Sequence, residues 1–128
     1  MSHFNDADGG ERLLEPRDVL GGGVPGVDER VSALMAALSA PTRIRVLFAL
    51  LEKGELSAGE VSKEVSMSAS ATSHQLRVLR DCGLVKRRRE GRSAIYSLAD
   101  GHLEVLLREA LYHVDHTRLE GRRESDGE

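Results

Sequence analysis

Apolar residues recur at helical spacing along most of the chain. Val31, Leu34, Met35 and Leu38 predict a first helix over about 28–38. Ser39-Ala40-Pro41 opens a second, because proline suits a first helical turn. Ile44, Leu47, Leu50 and Leu51 form its expected buried stripe, and Gly54 stops it. Ser57-Ala58-Gly59-Glu60 is a capping-box pattern, in which Ser57 and Glu60 each satisfy a free backbone N–H. It predicts a short helix ending near Val65. Ser66-Met67 allows a tight turn, and Ser68 can cap a fourth helix running to Asp81-Cys82, with Gly83 just past its end. Two short helices joined by a tight turn read as helix-turn-helix.

The pattern then changes. Leu84-Val85 begins a strand, Ile95-Tyr96-Ser97-Leu98 ends its partner, and Glu90-Gly91-Arg92 lies between as a hairpin tip. Asp100 caps a last helix to about Arg118. Its Leu103, Leu106, Leu107, Ala110, Leu111 and Val114 make a stripe wide enough for a partner helix. The predicted order is α-α-α-α-β-β-α, mainly α with one small β-hairpin. Residues 1–26 are expected to be a mobile arm, with Gly21-Gly22-Gly23 and Pro25-Gly26 as a flexible joint. Residues 27–118 form one domain, and 119–128 a charged, frayed tail.

Composition narrows the class. Trp is absent and aromatic content is 3%, so the core is aliphatic. No apolar run approaches a membrane span, and the N-terminus lacks a signal-peptide core. The single cysteine, Cys82, rules out an internal disulfide framework and is expected to be a small buried residue at a helix end. A cytoplasmic protein without a membrane partner is expected. The net charge of -3 would argue against nucleic acid if it were evenly spread. It is not: Arg77, Arg80, Lys86, Arg87, Arg88, Arg89 and Arg92 crowd one stretch, while acids collect near the start. The local field matters at contact with phosphate.

The helix from Ala69 to Arg80 has two faces. Leu76, Val78 and Leu79 can pack inward. Ser70, Thr72, Ser73, His74, Gln75 and Arg77, with Ser68 at the cap, are candidate DNA contacts. Small residues let a helix sit close in the major groove, glutamine can bond adenine, and arginine guanine or phosphate. Alone, this helix reads equally well as a solvated amphipathic surface. The hairpin shifts the balance. Arg87, Arg88, Arg89 and Arg92 surround its turn, directly after a helix-turn-helix, as a wing that grips backbone phosphate does.

A second chemistry lies on the last helix. Asp100-Gly101-His102 stands at one end and His113-Val-Asp-His116 near the other. Any one histidine is most simply a surface residue, and Asp100 alone an N-cap. Together they supply four ligands suited to tetrahedral zinc. Eleven residues at about 1.5 Å each separate the two ends by roughly 16 Å. One ion with bonds of about 2 Å cannot reach both. A second copy of the helix running antiparallel resolves this: Asp100 and His102 of one chain meet His113 and His116 of the other, giving a symmetric dimer with two equivalent sites. A hydrolytic zinc enzyme is disfavoured, because four protein ligands leave no open position and no His-Glu-x-x-His motif occurs.

Residues of about 30–118 resemble the ArsR/SmtB family of metal-sensing winged-helix repressors. The resemblance rests on Ala40-Pro41-Thr42-Arg43, Ser73-His74-Gln75-Leu76-Arg77-Val78-Leu79-Arg80, Gly83-Leu84-Val85, Gly91-Arg92-Ser93, Ile95-Tyr96-Ser97-Leu98 and the Asp-x-His…His-x-x-His helix. It implies a winged helix-turn-helix homodimer formed through the first and last helices, binding operator DNA. It also implies zinc, or nickel or cobalt, held by Asp100, His102 and the partner's His113 and His116. Metal then lowers operator affinity and releases genes for metal efflux or sequestration. The family's cysteine site is expected to be absent, since Glu55-Leu56-Ser57-Ala58-Gly59-Glu60 holds no thiol. Ala69 stands where many relatives carry a glutamine in the recognition helix, so the family's base preference does not carry over at that point. Nickel sensing usually asks for more ligands. His3, beside an amine on Ser2 if Met1 is removed, is a possible accessory one, against the simpler view of an idle tail residue. A winged-helix regulator that does not respond to metal is the competing function.

Overall fold

A computed structural model describes residues 4–5 and 11–126 of the chain. His3 lies outside the described residues. The polypeptide divides into two units at Ile44–Arg45.

In the first unit, β1 (Phe4–Asn5) pairs antiparallel with β2 (Glu11–Arg12), Phe4 opposite Arg12. A short helix α1 (Pro16–Val19) follows, inside the region expected to be a mobile arm. Proline opens it, as its fixed φ allows. The Asp18 carboxylate is buried and fully engaged. It accepts from both terminal nitrogens of Arg12, at 2.8 and 2.9 Å, and from the Glu15 backbone N–H at 2.8 Å. These bonds, Arg12 foremost, lower its pKa from an ordinary 3.8 to about 2. A depressed carboxylate pKa stabilises the fold above the unfolded value and ceases to do so as pH falls through the folded one. The structure of residues 12–20 is therefore expected to loosen between pH 3.8 and about 2. Backbone amide shifts of Leu20 and Gly21, followed by NMR through that window, check this, and Asp18→Asn removes the transition.

Helix α2 (Val27–Ala37) begins one residue before the predicted start, after Gly26 in the left-handed region (φ 77°). Arg43 serves its far end. The guanidinium donates to the carbonyls of Ala37 (2.8 Å) and Ala36 (3.3 Å), two of the acceptors that a helix C-terminus leaves open.

Helix α3 (Pro41–Lys53) begins at the predicted proline, and Gly54 follows it with φ 86°. Its buried residues are Val46, Leu47 and Leu50; Ile44 and Leu51 are only half-buried. Strand β3 (Leu56–Ser57) comes next, then α4 (Ala58–Val65) and α5 (Ala69–Asp81). The capping box at the start of α4 is complete: Ser57 N–H donates to Glu60 (2.9 Å) and Glu60 N–H to the Ser57 hydroxyl (3.2 Å). Ser57 thereby holds the Glu60 carboxyl below its usual pKa.

Strands β4 (Val85–Glu90) and β5 (Ser93–Leu98) form the hairpin, with Val85 opposite Leu98 and Glu90 opposite Ser93. Only Gly91 and Arg92 remain at the tip. Gly91 takes φ 64°, which a primed turn requires and other residues resist. The sequence pattern missed β3. It pairs antiparallel with β5, Leu56 opposite Tyr96, so the sheet order is β3-β5-β4.

The last helix, α6 (Gly101–Asp126), runs past the expected end at Arg118. The Asp100 carboxylate caps it by accepting from Leu103 N–H at 2.9 Å. Val46, Leu47, Leu50, Val61, Leu76, Leu79, Leu84, Val85, Leu98, Leu103 and Leu107 are all buried, an aliphatic core as expected. The described residues thus form a winged helix-turn-helix fold with six helices and a small three-stranded sheet, and a separate β1–β2 pair. Among the described residues, no single helix is long and apolar enough to cross a membrane.

Candidate nucleic-acid and metal-binding surfaces

The turn between α4 and α5 sets the angle of the second helix. Ser66 ends α4 in the left-handed region (φ 54°), the only described non-glycine residue there. Three bonds hold the turn. Met67 N–H donates to the Ser62 carbonyl (3.1 Å), the Ser62 hydroxyl donates to the Met67 carbonyl (2.6 Å), and Arg45 donates to the Val65 carbonyl (2.9 Å). Ser68 then caps α5 by accepting from Ala71 N–H at 3.1 Å. Its hydroxyl proton stays available for a phosphate oxygen.

The two faces of α5 separate cleanly. Thr72, Leu76 and Leu79 are buried, at i, i+4 and i+7. Ser70, Ser73, His74 and Arg77 are exposed on the opposite stripe at i, i+3, i+4 and i+7. These four, with Ser68, form a continuous polar strip of short side chains ending in a cation. Val78, expected to pack inward, is half-buried.

Two of the sequence candidates sit differently. Thr72 is 0% exposed and faces the core, so it presents no group to DNA. The helical period places it with Leu76 and Leu79, a position its polar side chain disguised. Its hydroxyl has no hydrogen-bond partner among the described residues. Gln75 is half-buried, with its side-chain carbonyl oxygen turned inward and also unpartnered. A buried hydroxyl without a partner costs about 1–3 kcal/mol, and valine has nearly the same shape. Thr72→Val is therefore expected to raise unfolding stability by about 1 kcal/mol and to leave DNA affinity unchanged. Thermal denaturation and a binding isotherm check the two halves. A loss of affinity would return Thr72 to the interface.

In the wing, strand alternation decides which arginines face together. Arg87 and Arg89 point to one side of β4, Lys86, Arg88 and Glu90 to the other. Arg88 is spoken for. One terminal nitrogen lies 2.9 Å from Glu55 and the other 2.8 Å from Glu90. These carboxylates, Glu55 first, raise its pKa further. Arg88 thus braces the wing against the loop before β3, while Arg87, Arg89 and Arg92 are exposed around the tip. One Arg89 terminal nitrogen also approaches the Arg92 carbonyl at 3.5 Å, drawing these two residues together at the turn. Cys82, expected to be buried, is exposed at the end of α5: the chain turns outward there toward Gly83, φ 74°.

Helix α6 carries His102, His113 and His116, all exposed. At about 100° per residue, His113 lies about 20° around the helix from His102, and His116 about 40° on the other side. Asp100 caps the helix through Oδ1 alone, which leaves Oδ2 for another partner. Among the described residues of one chain, no three His, Cys, Asp or Glu side chains converge as a metal centre requires. The donor set fits a borderline divalent ion chemically, three imidazoles and a carboxylate, but its halves stand at separate ends of one rod. Next to this line runs an apolar ridge: Val105, Tyr112 and Leu119, seven residues apart, are 60%, 58% and 43% exposed. Leu103 and Leu107, by contrast, are already buried within the chain.

Comparison with known proteins agrees with this architecture. The model of bacterial regulatory proteins of the arsR family matches residues 40–87, from the start of α3 into the wing. The chain is 44% identical over 90 residues to the HTH-type transcriptional regulator NmtR of Mycobacterium tuberculosis, spanning 70% of this chain and 74% of that one. It is 36% identical over 83 residues to the cadmium resistance transcriptional regulatory protein CadC homolog of Staphylococcus aureus, spanning 65% and 69%. The crystal structure of the transcriptional repressor BigR from Xylella fastidiosa matches with a TM-score of 0.64 at 31% identity, over 79% of this chain and 96% of that one. With helix-turn-helix, basic wing and these relatives in agreement, the chain belongs to the ArsR/SmtB family, as a winged helix-turn-helix transcriptional regulator and not an enzyme.

Proposed function

We propose that this protein is a metal-responsive repressor. It binds operator DNA as a homodimer formed through α2 and α6 and releases it when zinc binds between the two copies of α6. The single observation that carries the reading is the placing of His102, His113 and His116 on one face of one unbroken helix, exposed and too far apart for a single ion. Asp100 and His102 of one chain would hold the metal with His113 and His116 of the partner. The ion supplies a rigid cross-link between helices, with no reaction. Nickel or cobalt is the alternative, and the resistance function in the name of the Staphylococcus aureus relative supports a metal effector in general. The site of action is the cytoplasm.

On DNA, Ser68, Ser70, Ser73, His74 and Arg77 would lie toward the major groove, and Arg87, Arg89 and Arg92 toward the flanking phosphates. Metal changes the spacing of the two recognition helices, which must match successive major grooves about 34 Å apart. Coupling of this kind is reciprocal, so operator must weaken metal binding by the factor by which metal weakens operator binding.

Titration of the protein–operator complex with zinc, nickel and cobalt in turn tests the proposal. Zinc is expected to lower operator affinity about 5–150-fold, the usual span of such coupling. The His113→Ala, His116→Ala double variant is expected to bind operator normally and ignore the metal. A double variant that still responds like the native protein leaves a winged-helix regulator governed by something else. Absorption spectra of the cobalt form distinguish four from six ligands.

A further inference from the structure

The helix does not end where the histidines do. Beyond His116 it continues for more than two turns, and Glu120 stands four residues on. The Glu120 Oε1 lies 3.1 Å from the His116 Nε2. Five helical turns are 18 residues, so Glu120 shares its azimuth with His102. It falls on the line of the proposed ligands, not on the flank where Asp115 pairs with Arg118 at 2.7 Å. Of the three histidines on α6, only His116 has a carboxylate partner among the described residues. One turn after His102 comes Leu106, and one turn after His113 comes Thr117, whose hydroxyl donates to main-chain carbonyls.

A neutral imidazole carries one N–H, and the other nitrogen holds the lone pair that binds a metal. If Nε2 donates to Glu120, the proton is fixed there and Nδ1 is left as the ligating atom. Histidine ligands commonly donate their second ring N–H to a carboxylate, which sets tautomer and ring orientation and raises basicity. We propose that Glu120 is a positioning residue of the metal site, holding His116 as the Nε2–H tautomer with Nδ1 toward the ion. The inference rests on the metal-site reading above. It also extends the functional part of α6 into residues 119–128, where the sequence alone suggested only a charged tail.

Two measurements on the full-length protein test it. Long-range 1H–15N NMR of the histidine rings in the metal-free state is expected to show His116 protonated at Nε2, with Glu120→Ala shifting it toward a mixture. Zinc affinity, measured by competition with a chromophoric chelator, is expected to fall about 10–100-fold in Glu120→Ala, the usual cost of losing such a partner. Glu120→Gln, whose amide oxygen still accepts from Nε2–H, is expected to restore most of that loss. Native zinc affinity in Glu120→Ala, or an Nδ1–H tautomer in the native protein, overturns the proposal. So does a Glu120→Gln variant as weak as Glu120→Ala, which would make Glu120 a direct ligand. His116→Ala separates the two levels. If it weakens zinc binding while Glu120→Ala does not, the site stands and only the role of Glu120 falls. If His116→Ala has no effect either, both fall.

Discussion

Tyr112→Glu is expected to convert the protein to a monomer and to abolish both operator binding at working concentrations and the zinc response. The argument is geometric. An antiparallel pair of α6 helices that joins Asp100 and His102 to the partner's His113 and His116 brings together residues whose numbers sum to about 216. In that register Val105 would pack beside Leu111 and Tyr112 of the partner, and the two-fold would repeat the contact. These side chains are among the most exposed large apolar groups of the single chain, with Tyr112 at 58% and Val105 at 60%. Leu103 and Leu107 cannot serve the same purpose, because the chain has already buried them. The seam expected from this register is therefore the ridge beside the histidines, and not the whole stripe that the apolar pattern marks out.

A glutamate at Tyr112 places one uncompensated charge at each of two equivalent points in the seam, a cost of several kcal/mol per buried ion. A monomer loses the second half-site contact and with it an avidity gain of about 10²–10⁴. Sedimentation velocity reports the monomer, and an operator isotherm reports the affinity. Far-UV circular dichroism is expected to remain native, since Tyr112 is exposed in the folded chain. Tyr112→Phe, which keeps the ring, is expected to remain a dimer. A dimeric Tyr112→Glu protein with native DNA affinity would rule out this seam.

The second large effect concerns salt. Each phosphate neutralised on duplex DNA contributes about 0.9 to the slope of log affinity against log salt. Arg87→Ala with Arg89→Ala removes two candidate contacts per wing and four per dimer, so the slope is expected to fall by about 3.6. Arg88→Ala is expected to leave the slope unchanged, although it stands between them in sequence. Its guanidinium already serves Glu55 and Glu90, and its side chain lies on the other side of the strand. Any loss of affinity in Arg88→Ala comes from a wing less firmly braced, and Glu55→Gln is expected to reproduce it. Operator isotherms over a range of potassium chloride concentrations separate the cases. A slope that falls in Arg88→Ala too, by about 0.9 for each wing, would place Arg88 on phosphate as well.

The sequence carried the helix-turn-helix because its signals are local. The Ser57–Glu60 capping box, the Ser68 cap, the Gly83 stop and the Gly91 tip each act within a few residues, through hydrogen bonds and φ preferences written in adjacent side chains. The shared face of His102, His113 and His116 on α6 was legible for the same reason, as a matter of helical period. What the sequence could not show were facts of contact between distant segments. Two-residue β3 exists only because β5 lies beside it, and no alternation that short stands out. Arg12 and Asp18 order residues that read as a loose arm by closing a part-buried ion pair across six positions. Arg88 looks like its neighbours in a basic run until Glu55 approaches from another loop. Thr72 looks like a polar contact until the core settles around it, and Cys82 looks apolar enough to bury until the chain turns outward. Spacing and caps determined which elements form and which residues share a face. Tertiary packing alone decided which polar groups remain free to meet DNA or metal, because that depends on what else the fold has brought within hydrogen-bonding distance.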